Sequence, residues 1–451
     1  MKKLVVLLLV LLWSGSSVQS RDHIVIGWNE LGMHCSNRDF STFVVLPPFN
    51  NVRAQVLEVG DALHLPTVVT TNVSLTYEIP GNTYSVGKTN FWDYAYALFG
   101  ANLAPNVGLT GNGMTGDMTL VENYFLATGI PITPFTDNDL VNEDPFQLGL
   151  LKLYSSSNLL ATAPPVVPVS NEINCISSGC HASPQGILNQ HAPEAGFDST
   201  QTPILCASCH ASNALGTPGK PGLPSLSEAV HKHHGGITDD CYKCHPGPIT
   251  QCLRDVMKNR HGFVCQTCHG SVTQVGESIS SGRIPWLQEP SCGAPSCHGS
   301  TYAEEPGQLF RMSRGHGGLF CSVCHGEPHA ILPSGVARDN VQNIALQGYA
   351  GTLNKCQVCH GVTPTGAGPH GLFAGGCCQG RTGNVDCDPA NGVDISDLSR
   401  LIDYLYISFS PLCCKKAANV DGSPDGNIDI SDLSALIDFL YITFTPTAMC
   451  Q

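Results

Sequence analysis

The chemistry available to this chain lies in its Cys and His residues. Five times a Cys, two intervening residues, a second Cys and an adjoining His recur: Cys206-Cys209-His210, Cys241-Cys244-His245, Cys265-Cys268-His269, Cys321-Cys324-His325 and Cys356-Cys359-His360. Two further copies have four residues between the thiols, Cys175-Cys180-His181 and Cys292-Cys297-His298. Thiols so spaced can add across the two vinyl groups on one edge of a haem, which leaves the next His beneath the ring, where its imidazole can bind the iron. CxxC pairs are also zinc ligands, two pairs making a four-sulfur site, but zinc does not require a His directly after each second Cys. All seven pairs carry that His, so the set is read as seven covalent c-type haems.

Each iron needs a second axial ligand. Beyond the seven motif histidines, the same segment holds His191, His231, His233, His234, His261, His316, His329 and His370, against only Met257 and Met312. Eight imidazoles for seven irons predict bis-His ligation throughout, with one of the clustered His231, His233 and His234 spare. The assigned distal ligands are His191, His231, His234, His261, His316, His329 and His370. A six-coordinate iron has no open position, which favours electron transfer over catalysis. No motif ends in Lys, the variant that resembles the catalytic haem of ammonia-forming nitrite reductases. Two other readings stay open: a multihaem oxidoreductase acting on a small nitrogen or sulfur compound at one five-coordinate haem, and a subunit of a conductive filament.

The elements that must hold these residues are short. Between Cys175 and His370 the chain is rich in Gly, Pro and Ser and shows no long amphipathic period, so its side chains cannot bury enough area to offset chain entropy. Seven macrocycles would supply the missing apolar core. Residues 21 to 165 differ, with one Cys, three His and alternations such as Val73, Leu75, Tyr77 and Ile79 that predict half-buried strands. Pro47-Pro48, Pro80-Gly81 and Gly111-Asn112-Gly113 mark turns, and Phe91 to Phe99 reads as a helix stopped by Gly100. Ala161 to Ser170, with Pro164, Pro165 and Pro168, is expected to be an extended linker.

Met1, Lys2 and Lys3, an apolar run from Leu4 to Trp13, and Val18 and Ser20 before Arg21 form a secretory signal pattern over residues 1–20. The expected location is periplasmic, extracellular or at the cell surface, where thiols meet oxidising conditions. No later apolar stretch is long enough to span a bilayer. With 36 acidic against 22 basic residues, the net charge of -14 argues against nucleic acid as a partner.

The last part of the chain repeats itself: DISDLSRLIDYLYISFSP from Asp394 to Pro411 returns as DISDLSALIDFLYITFTP from Asp429 to Pro446. Before the second helix, Asp421, Ser423, Asp425, Gly426, Asp429 and Asp432 occupy positions 1, 3, 5, 6, 9 and 12 of a calcium loop. The first copy offers Asp386, Asp388, Asp394 and Asp397, with Ala390 at position 5. Leu398, Ile402 and Leu405 match Leu433, Ile437 and Leu440 as core positions of paired helices. The cysteines at 377, 378, 387, 413, 414 and 450 allow 15 disulfide connectivities. The duplicated loop and helix resembles a type I dockerin, which implies calcium binding and docking to a cohesin-like partner or a surface.

CYKCHPGPITQCLRDVM (Cys241 to Met257), CQTCHGSV (Cys265 to Val272), RMSRGHGGLFCSVCHGEPHA (Arg311 to Ala330) and LNKCQVCH (Leu353 to His360) resemble a group of large exported bacterial multihaem cytochromes. GWNELGMHC (Gly27 to Cys35) and FSTFVVLPPFNNVRAQV (Phe40 to Val56) look like the N-terminal domain that accompanies that group. The implied architecture is a signal peptide over 1–20, a mostly β domain over 21–165, a loop-rich heptahaem domain over 171–375 organised by haem stacking, and a small α-helical dockerin-like tail over 376–451. The implied partners are redox proteins, a docking partner for the tail, and other copies of the chain. Cys35 and Cys252 fall outside every motif: an interdomain disulfide, a copper or iron site with Met33 and His34, and a buried thiol are all open.

Overall fold

The computed structural model describes residues 22–191, 197–247, 249–299, 302–364, 368–371, 378, 381–388 and 392–450. The signal pattern, Ala390 and Cys377 lie outside the described residues. The chain is organised as several regions, the first mostly β and the later ones carrying short helices.

Two antiparallel sheets build the first region. One runs Thr119–Val121, Tyr124–Ile130, Asn50–Glu58, His23–Trp28, with Thr67–Val68 added beside Asn50–Glu58. The other runs Thr115–Asp117, Ser74–Glu78, Leu150–Ser155, Asn158–Ala163. Successive side chains of a strand point to opposite faces, and the alternation is visible in what is buried. Val52, Ala54 and Val56 of one sheet meet Leu75, Tyr77, Leu151 and Leu153 of the other in one core, with Leu151 opposite Tyr77 and Leu153 opposite Leu75. The helix Phe91–Phe99 packs its buried Phe91, Ala95 and Leu98 against Phe40 and Val44 and ends at Gly100, whose φ of 67° is the left-handed conformation that a side chain would resist.

The expected linker is not one. Val166–Ser170 is a fully buried strand, antiparallel to Phe146–Leu148 and parallel to His34–Cys35, so the first region extends to Ser170. Pro168 needs no donor there, and its carbonyl accepts from the Asn50 side chain at 2.8 Å.

The outer face of the first sheet is also covered. Ile26, Trp28, Leu57 and Tyr124 are buried against Leu319, Phe320, Val323 and Leu353 from the last part of the motif-bearing segment. Phe320 stands 5.4 Å from the Trp28 ring and 5.1 Å from that of Tyr124. Upstream the segment is poor in core: between Cys175 and Gly299, the buried apolar side chains among the described residues, cysteines aside, are Leu188, Ala207 and Ile279. Its regular structure there is a few short helices, of which Leu226–His234 and Val272–Ser280 lie so close that a Cβ on Gly276 would meet the Lys232 backbone at 3.0 Å.

In the tail, Ile395–Ile402 and Ile430–Ile437 are paired helices, each followed by a π-helical turn. Leu398, Leu401, Leu433 and Leu436 are buried between them with Val385 and Val420, while Ile402, Leu405, Ile437 and Leu440 are partly buried around that core. Disulfides join Cys378 to Cys450 and Cys387 to Cys413, and Cys414 is disulfide-bonded as well. Among the described residues no helix is long and apolar enough to cross a membrane.

Candidate functional site

Each Cys–Cys–His motif forms a local turn that gathers its three side chains. His210, His245 and His360 donate their backbone N–H to the carbonyl of the first Cys of their motif, at 3.0, 2.8 and 2.9 Å. Cys265–His269 and Cys321–His325 are single helical turns. One such turn places residues i, i+3 and i+4 on one side. In the two wider motifs the same bond closes a longer loop, from His181 to Cys175 at 3.1 Å and from His298 to Cys292 at 3.1 Å. All fourteen motif cysteines are unbonded thiols.

The motif histidines meet other histidines. Ring centroids lie 6.1 Å apart for His181 and His234, 6.3 Å for His210 and His191, and 6.0 Å for His245 and His231. They lie 6.2 Å apart for His269 and His329, 6.0 Å for His325 and His370, and 5.9 Å for His360 and His316. An imidazole nitrogen binds a metal at about 2 Å, so two rings on opposite sides of one ion have centres roughly 6 Å apart. These six separations therefore leave room for one metal ion each. Six of the seven sequence-assigned distal histidines are brought to a motif His; the seventh, His261, contacts the Phe263 ring instead, and His298 has no imidazole facing it among the described residues.

The helix Leu226–His234 explains the choice within the His cluster. His231 and His234 are three residues apart and share a face, whereas His233 points elsewhere. Nδ1 of His231 lies 2.7 Å from the Ser227 carbonyl and Nδ1 of His234 2.7 Å from that of Val230. His210 makes the same contact with Pro224 at 2.9 Å. A carbonyl only accepts, so Nδ1 carries the proton and the lone pair is left on Nε2, the tautomer that a metal ligand needs. Partial burial of His325, and after it the facing imidazole of His370, lowers its pKa to about 4.

The β region supplies part of this geometry, which the sequence did not disclose. Gly32 has φ of 72°, and a Cβ there would lie 1.7 Å from the Pro328 carbonyl oxygen, so only glycine lets the Asn29–Gly32 loop sit against Pro328 and His329. The Asn29 side chain accepts from Leu31 and Gly32 N–H at 3.0 and 2.9 Å to hold that loop. Arg254 completes the join: its buried guanidinium donates twice to Asp339, at 2.7 and 3.1 Å, and to the Gly32 carbonyl at 2.6 Å, while its backbone N–H donates to the His329 carbonyl at 2.8 Å. The residues that carry the resemblance, GWNELGMHC and CLRDVM, are those that interlock around His329.

Of the three open readings, the disulfide is not formed: Cys35 and Cys252 are unbonded, though close enough that Cys252 adds to the effect of burial in raising the Cys35 thiol. Nε2 of the neighbouring His34 is buried without a partner. Among the described residues no three His, Cys, Asp or Glu side chains gather closely enough to hold a metal ion, at His34 or elsewhere.

In the tail loops the acids at positions 1 and 12 come together. The Asp397 carboxylate accepts from the N–H groups of Val385, Asp386 and Asp394 at 2.6, 3.0 and 2.8 Å, and that of Asp432 from Asp421 and Asp429 at 3.2 and 2.9 Å. Both are buried and no basic side chain pairs with either among the described residues. Burial, with the like charge of Asp386, pushes Asp397 up to about 6; burial and Asp421 raise Asp432. A cation would relieve each pair. Asp388, Asp425 and Asp429 bond instead to local N–H groups, and Asp394 caps its helix. Ser423 donates from its hydroxyl to Asn419.

Comparison with known protein families, curated proteins and solved structures finds no match to this chain. The functional reading therefore rests on its own residues.

Proposed function

We propose that the chain is an electron carrier holding seven covalent haems in the segment from Cys175 to His370. Its motif histidines and the facing His191, His231, His234, His316, His329 and His370 would bind iron from both sides. The bound iron would supply a reversible one-electron couple. The observation that carries the reading is the set of six His pairs at ring separations of 5.9 to 6.3 Å, each pairing a motif His with a non-motif His. Zinc is disfavoured by the motif pattern, because zinc does not require the His that adjoins all seven Cys pairs. The near absence of buried apolar side chains between Cys175 and Gly299, among the described residues, supports it independently, since a protein region with no core of its own needs one from elsewhere.

The protein's own contribution is positional. Carbonyls fix the tautomer of His231, His234 and His210, and the β region holds the loop at His329. Ligands held by packed elements on both sides of an iron change little between oxidation states, which suits fast electron exchange. The tail would act as a calcium-dependent docking module, with the buried acid pairs Asp386/Asp397 and Asp421/Asp432 as the cation-demanding part and Asp388, Asp394, Ser423, Asp425 and Asp429 as the remaining ligands. The compartment would be outside the cytoplasm, with soluble redox proteins as partners. A reductive titration of the purified protein tests this: seven electrons per chain are expected, returned in full to an added acceptor. Uptake of none, with no haem absorption, would overturn it.

A further inference from the structure

We infer that the haem carried by Cys292, Cys297 and His298 has no second protein imidazole, and that its open face beside Tyr302 binds a small neutral π-acceptor such as carbon monoxide or nitric oxide. This rests on the seven-haem reading above. Six motif histidines face a non-motif His; His298 lies near His325 but makes no ring contact with an imidazole among the described residues. Its ring contact among the described residues is Tyr302, with centroids 6.3 Å and planes 71° apart. Two imidazoles of the segment remain unassigned, and among the described residues neither makes a ring contact with His298. His233 lies against His234 at 5.4 Å, on a helix whose other two histidines already face His245 and His181. His261 ends the helix Val256–His261 and lies against Phe263 at 6.1 Å. The Met312 sulfur accepts from the Arg53 guanidinium at 3.1 Å and is engaged there.

The turn around this motif is held from its own side. The Glu304 carboxylate accepts from the Cys292 N–H, from Gly293 N–H at 3.2 Å and from the Ser291 hydroxyl at 2.6 Å, which ties the first thiol to the turn that carries Tyr302. The other motif with four residues between its thiols ends in His181, whose ring lies opposite that of His234. Tyr302 also lies 5.1 Å from the ring of His370, which faces His325, so the open site adjoins an electron-carrying pair. A hydroxyl-bearing ring at the edge of the site suits a diatomic ligand, which accepts one hydrogen bond at its outer atom.

Carbon monoxide titration of the reduced, fully loaded protein tests the inference. The expected uptake is one per chain, with about one-seventh of the iron high-spin in the oxidised protein before addition. Cys292→Ser with Cys297→Ser should remove one haem by mass and abolish uptake. Tyr302→Phe, which keeps the ring and is expected to fold, should leave uptake at one per chain and shift the C–O stretching frequency. His261→Leu should change neither. Seven haems by mass with no uptake, or uptake appearing only in His261→Leu, would overturn the inference alone. An unchanged stretch in Tyr302→Phe would overturn the placement, and a chain mass without haem would instead overturn the reading beneath it.

Discussion

His231→Leu and His233→Leu should behave as opposites, although the two residues are separated by a single position. The His231 ring stands 6.0 Å from that of His245 with planes only 25° apart, and its Nδ1 is held 2.7 Å from the Ser227 carbonyl. The ring contact of His233 among the described residues is with His234, at 5.4 Å. Leucine approximates the imidazole in size and propagates a helix well, so the replacement removes a ligand without removing the element that carried it. If the seven-haem proposal holds, one iron in seven would then lose its sixth ligand. Added to the open site at His298, this raises the high-spin fraction of the oxidised protein from about one-seventh to about two-sevenths, and carbon monoxide uptake from one to two per chain, since each lost imidazole frees one coordination position. Electron paramagnetic resonance of the oxidised protein and optical titration of the reduced protein read the two quantities. His233→Leu should leave both at their starting values. Equal responses from the two variants, or none from His231→Leu, would refute the assignment of axial ligands from ring pairs.

Arg254→Met should cost about 3 to 5 kcal/mol in chemical denaturation, because it strands Asp339, 1% exposed at its side chain, without its bidentate partner; it should also loosen the pairing of His329 with His269, seen as new high-spin iron. Phe320→Ala should cost about 3 to 5 kcal/mol by leaving a cavity between Trp28 and Tyr124, with limited proteolysis cutting between the β region and the last motifs. Lys88→Met should cost about 3 kcal/mol at neutral pH, since Lys88 is fully buried and donates at 2.6 Å to Asp137, which is itself 24% exposed. Burial pulls the Asp137 carboxyl up, but the bonds from Lys88 and Thr83 outweigh it and hold it below its ordinary value. The pair's contribution is therefore complete above the unfolded value of about 4 and is lost as pH falls through the folded one, so wild type and variant should converge in acid. Calcium at a hundredfold excess over its dissociation constant should stabilise the tail by about 2.7 kcal/mol, read by calorimetry on the full chain, and Asp432→Asn should abolish that gain; a gain that survives the substitution would place the ion elsewhere.

How much of this was written in the sequence depends on how local each feature is. The attachment motifs and the tail repeat need only neighbours along the chain, and the alternation at Leu75, Tyr77 and Ile79 needs only the period of a strand. The preference for His231 and His234 over His233 is equally local, a matter of three-residue helical spacing. The pairing of His316 with His360 or His325 with His370 is not, because loops rich in glycine and proline impose no fixed distance between them. Val166–Ser170 reads as a linker because prolines flank and interrupt it, and it becomes a buried strand because Phe146–Leu148 and His34–Cys35 supply its hydrogen bonds from far away in the chain. The joining of Gly32 and Arg254 around His329 likewise exists only after folding. The contact of His261 with Phe263 rather than with a motif His is not local either, since counting imidazoles says nothing about where each ring ends up.

The most direct test is the intact mass of the purified chain, measured after denaturation and acid precipitation so that only covalently attached groups remain. The account predicts a mass that exceeds the polypeptide's by seven haems, each joined through one of the seven thiol pairs. An increment of five would remove the two wider motifs, and with them the open site at His298. A mass equal to that of the bare polypeptide would contradict the account entirely, because the six His pairs would then have no iron between them.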